Sequence, residues 1–458
     1  MTLRSAAFLC AALLAACAPA GAPEVAERRA MYTGDLPPMR VFPAARATAP
    51  ARSNAAIAED FLDLTFQLES GRALPVFTRF EGPITVRATG DLPPSLSPDL
   101  DRLITRLRRE AGLDIRRVDA GRRASITVEA VPRAELQRAV PQAACFVVPR
   151  LQSWDEFRRE RRGARVDWTT LRARDRMAVF IPADVSPQEV RDCLHEEVAQ
   201  ALGPLNDLYR LTDSVFNDDN FHTVLTGFDM LILRATYAPE LHSGMSRAQV
   251  ARALPGVLTR LNPNGRSGGR EARGPTPRAW IDAIETALGP STSEPRRRAA
   301  AREAVEIARD RGWRDNRLAF SLFALGRLSL GAEPETALAA FLQAGGLYAR
   351  TPQTEVHEAH VAMQLAAFAL SSGQATAAID IVDANTDAVA RAENAALLAS
   401  LLMIKVEALE LIGRTAEARA LRREALGWAR YGFGPDAEVR ARIGEITALN
   451  PRNRRRPS

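Results

Sequence analysis

The residues best suited to chemistry stand in one run, Cys193-Leu194-His195-Glu196-Glu197-Val198-Ala199-Gln200-Ala201-Leu202-Gly203-Pro204-Leu205-Asn206-Asp207. On a helix, side chains four apart lie one above the other, so Glu196 and Gln200 share a face. Asn206 and Asp207 follow the glycine that ends the helix. Carboxylate and amide oxygens of this kind suit a hard cation such as calcium. They equally suit a hydrogen-bonded network that ties the helix to the following loop. Glu197 is placed to act as a general base if a metal polarises a water beside it. Zinc is a poor match, because it favours imidazole and thiolate and both Gln200 and Asn206 are neutral amides. His195 points off this face, since its helical neighbours are Ala199 and Leu202.

The spacing Glu196-Glu197-x-x-Gln200-x-x-Gly203-x-x-Asn206 resembles the metzincin signature HExxHxxGxxH, with every histidine replaced. Ser214-Val215-Phe216-Asn217-Asp218 stands where metzincins carry their methionine turn, with Phe216 in place of methionine. Leu225-Thr226-Gly227-Phe228-Asp229-Met230 to Tyr237 resembles the capped last helix of matrix-metalloprotease-like domains. The region from about 56 to 245 is similar to a family of uncharacterised bacterial lipoproteins with Glu-Glu-x-x-Gln in place of the zinc motif. The resemblance implies an α+β, metzincin-like domain, a mixed sheet with two long helices, over 56–261. Its cleft positions are Glu196, Gln200, Asn206 and Asp207. No tight zinc site and no cofactor are expected, a calcium-like divalent cation being the one alternative. The competing reading is an atypical metal-dependent hydrolase with Glu197 as its base.

Other residues with chemical potential lie beyond this run. His222 follows the methionine-turn-like segment and lies within reach of the cleft. Asp213, Asp218 and Asp219, with Asn217 and Asn220, form an acidic loop whose spacing does not match an EF-hand. Gly265-Arg266-Ser267-Gly268-Gly269 matches GxSxG, but a nucleophile elbow needs a strand before it and a helix after it, and this stretch sits in a linker.

The elements that must position the run are legible as patterns. Ile84–Ala88 and Ile126–Ala130 alternate apolar and polar residues as strands do. Cys145–Val148 and Ala178–Ile181 are short apolar runs consistent with strands, and Leu96–Ala111 reads as a helix. Ser186-Pro187-Gln188-Glu189 starts the helix that ends at Gly203-Pro204. Residues 262–278 read as a linker. From 279 to 449 three similar turns recur, at Gly331, Gly373 and Gly413, each between an apolar helix and an alanine-rich one. They resemble tetratricopeptide-type (TPR-like) helical hairpins. Residues 450–458 form a basic tail.

Residues 1–16 resemble a lipoprotein signal peptide, and Leu14-Ala15-Ala16-Cys17 resembles the lipobox, which implies lipidation at Cys17. No aspartate follows Cys17, so a lipid-anchored, periplasm-facing place in the cell envelope is expected, with the outer membrane favoured. Residues 17–55 read as a flexible tether. In an exported protein Cys145 and Cys193 either form a disulfide or stay as buried thiols, and the oxidising compartment favours the disulfide.

Composition narrows the function. The 458 residues suffice for several domains. Of 61 basic residues only Lys405 is lysine, so there is no Walker-type nucleotide site and a Schiff-base enzyme is disfavoured. The formal charge of +6 is spread among 55 acids rather than clustered, which argues against nucleic acid. The expectation is a non-catalytic binding lipoprotein: a pseudoenzyme cleft, a membrane held through lipid, and a protein partner on the helical repeats.

Overall fold

The computed structural model describes residues 36–43, 48–141, 143–266, 274–289 and 292–454. The expected signal peptide, Cys17, Ser267 and the last four residues of the basic tail lie outside them. The protein is α+β. Its first part runs α1 (Asn54–Phe66), β1 (Ile84–Gly90), α2 (Leu96–Glu110), β2 (Ile115–Arg117), β3 (Ile126–Val131), α3 (Arg133–Ala139), β4 (Phe146–Pro149), α4 (Trp154–Glu160), β5 (Met177–Pro182), α5 (Pro187–Leu202), α6 (Gly227–Thr236) and α7 (Arg247–Leu261).

The five strands form one sheet in the order β2-β1-β3-β5-β4. All neighbours are parallel except β4, which runs antiparallel to β5 along the edge. All six residues of β5 are buried, as suits an inner strand covered on both faces. The larger core lies on one face and joins Phe61 of α1, Val86, Val128 and Val179 of the sheet, and Leu194 and Val198 of α5. The other face carries a smaller aromatic core, in which Trp154 and Phe180 lie 5.1 Å apart and Phe146 and Phe157 5.0 Å apart. Burying each such side chain stabilises the fold by about 1.5–3 kcal/mol. Gly90 is required where β1 ends: its φ is +84°, and a Cβ there would lie 2.2 Å from the Ala130 carbonyl oxygen.

The second part is helical: α8 (Arg278–Leu288), α9 (Glu294–Asp310), α10 (Asn316–Ser329), α11 (Pro334–Tyr348), α12 (Glu355–Ser371), α13 (Ala375–Arg391), α14 (Ala395–Leu411), α15 (Thr415–Phe433), α16 (Asp436–Thr447) and the short α17 (Pro451–Arg454). Neighbours pack as hairpins, α8 with α9, α10 with α11, α12 with α13 and α14 with α15. Gly373 and Gly413 both take the left-handed conformation that ends a helix. After Gly373, the Gln374 N–H donates to the Ala369 carbonyl (2.8 Å), and after Gly413 the Arg414 N–H donates to that of Leu409 (2.9 Å). The turn at Gly331 is closed differently, by the Glu333 N–H on the Ser329 carbonyl (2.8 Å). Ala337, Ala378 and Ala418 are buried just after these turns and let the paired helices approach closely. Among the described residues no helix is long and apolar enough to cross a membrane.

The helical array packs directly on α5. Gln188 Nε2 donates to Asn394 Oδ1 (3.1 Å), and Gln188 Oε1 accepts from the Ala396 N–H (2.9 Å). Asn394 is itself the N-cap of α14. Arg191 donates to the Glu393 carbonyl (2.8 Å) and lies over the Tyr431 ring. The Tyr431 hydroxyl donates to Asp99 of α2 (3.1 Å). Gly432 is needed here, since a Cβ would sit 2.5 Å from the Ala396 backbone.

One expectation is corrected by this packing. The segment read as a tether is seated at residues 39–43: the Arg40 N–H donates to the Gly427 carbonyl (3.0 Å), and Phe42 stacks on Trp428 with ring centres 4.3 Å apart. Helix α1 likewise begins at Asn54, inside the expected tether, capped by Ser53. Three elements were missed, β2, α3 and α4, each seven residues or fewer. In the GxSxG stretch, helix α7 and a short 3-10 turn (Pro263–Arg266) precede Ser267, so the strand that a nucleophile elbow needs is replaced by helix.

A disulfide joins Cys145, just before edge strand β4, to Cys193 on α5, with Cα atoms 5.9 Å apart. It closes a loop of sequence separation 48 and holds the site helix to the sheet edge. The chain-entropy model assigns such a loop about 4 kcal/mol. Thiol titration of the unfolded, unreduced chain should therefore find neither of these two sulfurs reactive. Replacing both cysteines by alanine should lower unfolding stability by roughly 3–4 kcal/mol, and an unchanged denaturation midpoint would contradict that role.

Candidate functional site

Helix α5 carries the site. Ser186 caps it by accepting the Glu189 N–H, and Pro187 occupies its first turn. Val190, Leu194, Val198 and Leu202 are fully buried in the main core and fix its rotation. Its C-terminal carbonyls are held by a residue that the motif does not contain. Arg174, 3% exposed, donates to the carbonyls of Gln200, Ala201 (2.7 Å) and Gly203. These carbonyls lack partners inside the helix, and a cation at that end also suits the helix dipole. Burial lowers the Arg174 pKa to about 10, which leaves it charged at neutral pH.

The expected site residues separate into two sets. Glu196, Glu197, Gln200 and Asp207 gather around Glu69, which comes from the turn after α1. The Glu69 carboxyl is within hydrogen-bonding reach of Gln200 and Asp207. Asn206 belongs elsewhere: it is buried and its amide donates to the Asp63 carbonyl of α1 (3.1 Å). That bond ties the post-helix loop to α1, not to the site helix as the hydrogen-bonded alternative had it.

The carboxyls of this cluster are costly as anions. Burial, then Asp218, Glu69 and Asp192, push the Glu196 pKa up to about 8. Glu197 lies well above the ordinary carboxylate range, through burial first and then Glu196 and Glu69. Asp207 is raised well above its own for the same reasons, with Asp218, Glu69 and Glu196 as neighbours. Glu197 Oε2 and Asp207 Oδ1 are buried without a hydrogen-bond partner. Among the described residues no three or more His, Cys, Asp or Glu side chains stand together as metal ligands. Burial and the neighbouring acids therefore disfavour the Glu197 anion, the form that a general base needs.

The histidines and the acidic loop are structural in their contacts. His195 Nδ1 accepts the Leu225 N–H (3.1 Å), and burial holds its pKa well below the usual value. His222 Nε2 bonds the Thr212 carbonyl oxygen (3.0 Å), and burial with His357 nearby lowers its pKa to about 3. Two acids of the loop already have partners. Asp213 pairs with Arg52, and Asp219 bonds His357 (3.0 Å) and Asn217 (2.7 Å). Asp229 accepts from the Val215 and Thr226 N–H groups (3.1 and 2.8 Å), which locks the loop to the start of α6. The capping box at Thr226 and Asp229 was readable in the sequence. Arg174 and Glu69 were not: one is an arginine in an arginine-rich chain, the other an acid in an exposed turn, and no spacing marks either.

Glu196 also faces outward, into a chamber of about 720 Å³ between the α/β part and the helical array. Asp192 and Cys193 of α5, His222 from the loop, and Phe323, His360 and Leu397 from the array line it.

Because its folded pKa lies above the ordinary 4.5, Glu196 opposes folding once the unfolded chain ionises. The penalty is absent below pH 4.5, grows as pH rises, and is complete above about 8. Glu196→Gln should therefore stabilise the protein by up to about 4 kcal/mol at pH 8 and leave it unchanged near pH 4. Urea denaturation at a series of pH values measures this, and a gain independent of pH would refute the assignment.

No match is found for this chain among curated proteins or among solved structures. Residues 54–256, from the first residue of α1 into α7, match the model of one family, described as a protein of unknown function (DUF2927).

Proposed function

We propose that this chain is a cell-envelope lipoprotein whose metzincin-like α/β domain is non-catalytic and binds a ligand beneath its TPR-like helical array. The observation that carries this reading is the state of α5. The helix that would hold a catalytic metal presents Glu196 and Gln200, buries Glu197 so that its anion is disfavoured, and is covered by α15, with the start of α14 bonded to Gln188. The parallel sheet with one antiparallel edge strand, followed by this helix, supports the metzincin-like likeness. The Cys145–Cys193 disulfide supports an oxidising compartment, and Leu14-Ala15-Ala16-Cys17 supports lipid anchoring there. The repeats keep a scaffold role, and the first body they hold is the α/β part of their own chain.

Purified protein should contain no stoichiometric zinc and show no chelator-sensitive peptidase activity. Glu196→His with Gln200→His places two imidazoles one turn apart and should raise zinc affinity at least about tenfold. Equimolar zinc in the natural protein, lost on Glu196→Ala, would establish the hydrolase instead. Separately, Cys17→Ser should abolish lipid labelling and membrane retention; an unlabelled natural protein would remove the anchor from the proposal.

A further inference from the structure

The chamber beside α5 has the size of a small-molecule site, for which about 300–1,000 Å³ is typical. Its apolar wall comes from the array, with Phe323 of α10, Met363 of α12, and Leu397 and Ile404 of α14. Its polar wall comes from α5 and the loop after it.

Among the described residues, the charges lining it are paired except for two, Glu196 on the inner wall and Arg327 on the array. Asp192 pairs with Arg191 (2.9 Å), Glu189 with Arg133 (3.5 Å) and Glu445 with Arg442 (2.6 Å). Arg327, exposed, stands by the Phe323 ring. His222 and His360 are neutral at physiological pH, both lowered to about 3 by burial and the neighbouring His357. Among the described residues Glu196 has neither an ion pair nor a hydrogen bond, and the charged groups that act on it, Asp218, Glu69 and Asp192, are all acidic. A carboxyl so placed ionises when a cation arrives, because the cation replaces the missing counter-charge. A bare metal ion fits poorly, since no three ligating side chains converge there among the described residues. An organic cation needs one carboxylate and an apolar wall, and the chamber has both.

We infer that the chamber binds a small amphiphile with a cationic head group, the head against Glu196 and the hydrocarbon along Phe323, Met363, Leu397 and Ile404. The inference rests on the reading of α5 as a non-catalytic helix. Hexylammonium, hexanoate and hexanol test it, titrated calorimetrically into the full chain at pH 6.5 in buffers of different ionisation heat. Hexylammonium should bind at least about tenfold more tightly than either of the others and release close to one proton. Glu196→Gln should abolish the preference and the proton release while leaving hexanol affinity within about twofold. Equal affinities for the three probes, absence of binding by all three, or a preference that survives Glu196→Gln would each overturn the inference. So would calcium ion binding stoichiometrically at Glu196 and displacing hexylammonium, which would make the site a metal site. Chelator-sensitive peptidase activity in the same preparation would defeat the non-catalytic reading instead, whatever the probes show.

Discussion

Everything in this molecule is arranged around the enclosure of α5. A helix covered on all sides is ordinarily apolar all round, yet this one carries glutamine, arginine, histidine and two adjacent glutamates. Each buried polar group must find a partner or cost the fold on the order of 1–3 kcal/mol. The partners come from far apart in the chain. Arg174 takes the carbonyls at one end, Asn394 and the Ala396 amide take Gln188 at the other, Glu393 takes Arg191, and the Leu225 amide takes His195. The backbone bends to supply them: Glu393 sits at φ +54°, a conformation that favours glycine, and its carbonyl there receives Arg191.

Where that supply of partners stops, the candidate site begins. Asp213, Asp219 and Asp229 are also buried carboxyls, but each has an arginine, a histidine or backbone amides against it. Glu196, Glu197 and Asp207 have only other acids acting on them among the described residues, Asp218 and Glu69 foremost. The contrast is electrostatic rather than geometric. It separates acids that hold the fold together from acids whose charge the fold leaves uncompensated, and such groups concentrate at functional sites.

The sheet and the site helix were legible because their signals are local. Alternation marked Ile84–Ala88, an apolar run marked Ala178–Ile181, and Ser186-Pro187 with Glu189 marked the start of α5. The disulfide followed from compartment and cysteine number. The convergence of Glu69 on the motif was not legible, because it depends on how the turn after α1 packs and has no periodicity. Arg174 was hidden by composition, since one arginine among so many carries no information until its carbonyl partners are in place. The seating of residues 39–43 was hidden for a related reason: alanine, proline and arginine suggest a tether, and only the Phe42 stack on Trp428 shows otherwise.

That contact between residue 40 and residue 427 orders the events of folding. Each helical hairpin is made from neighbours in sequence and can form quickly, whereas pairings between the two ends of a chain close the largest loop and come slowly. The segment 39–43 must wait, unseated, until α15 exists. Until then the partners of α5 are incomplete and its acids stay hydrated. A chain broken off before α15 would therefore keep its sheet and the α10, α12 and α14 wall of the chamber and still lack the helix that packs along α5.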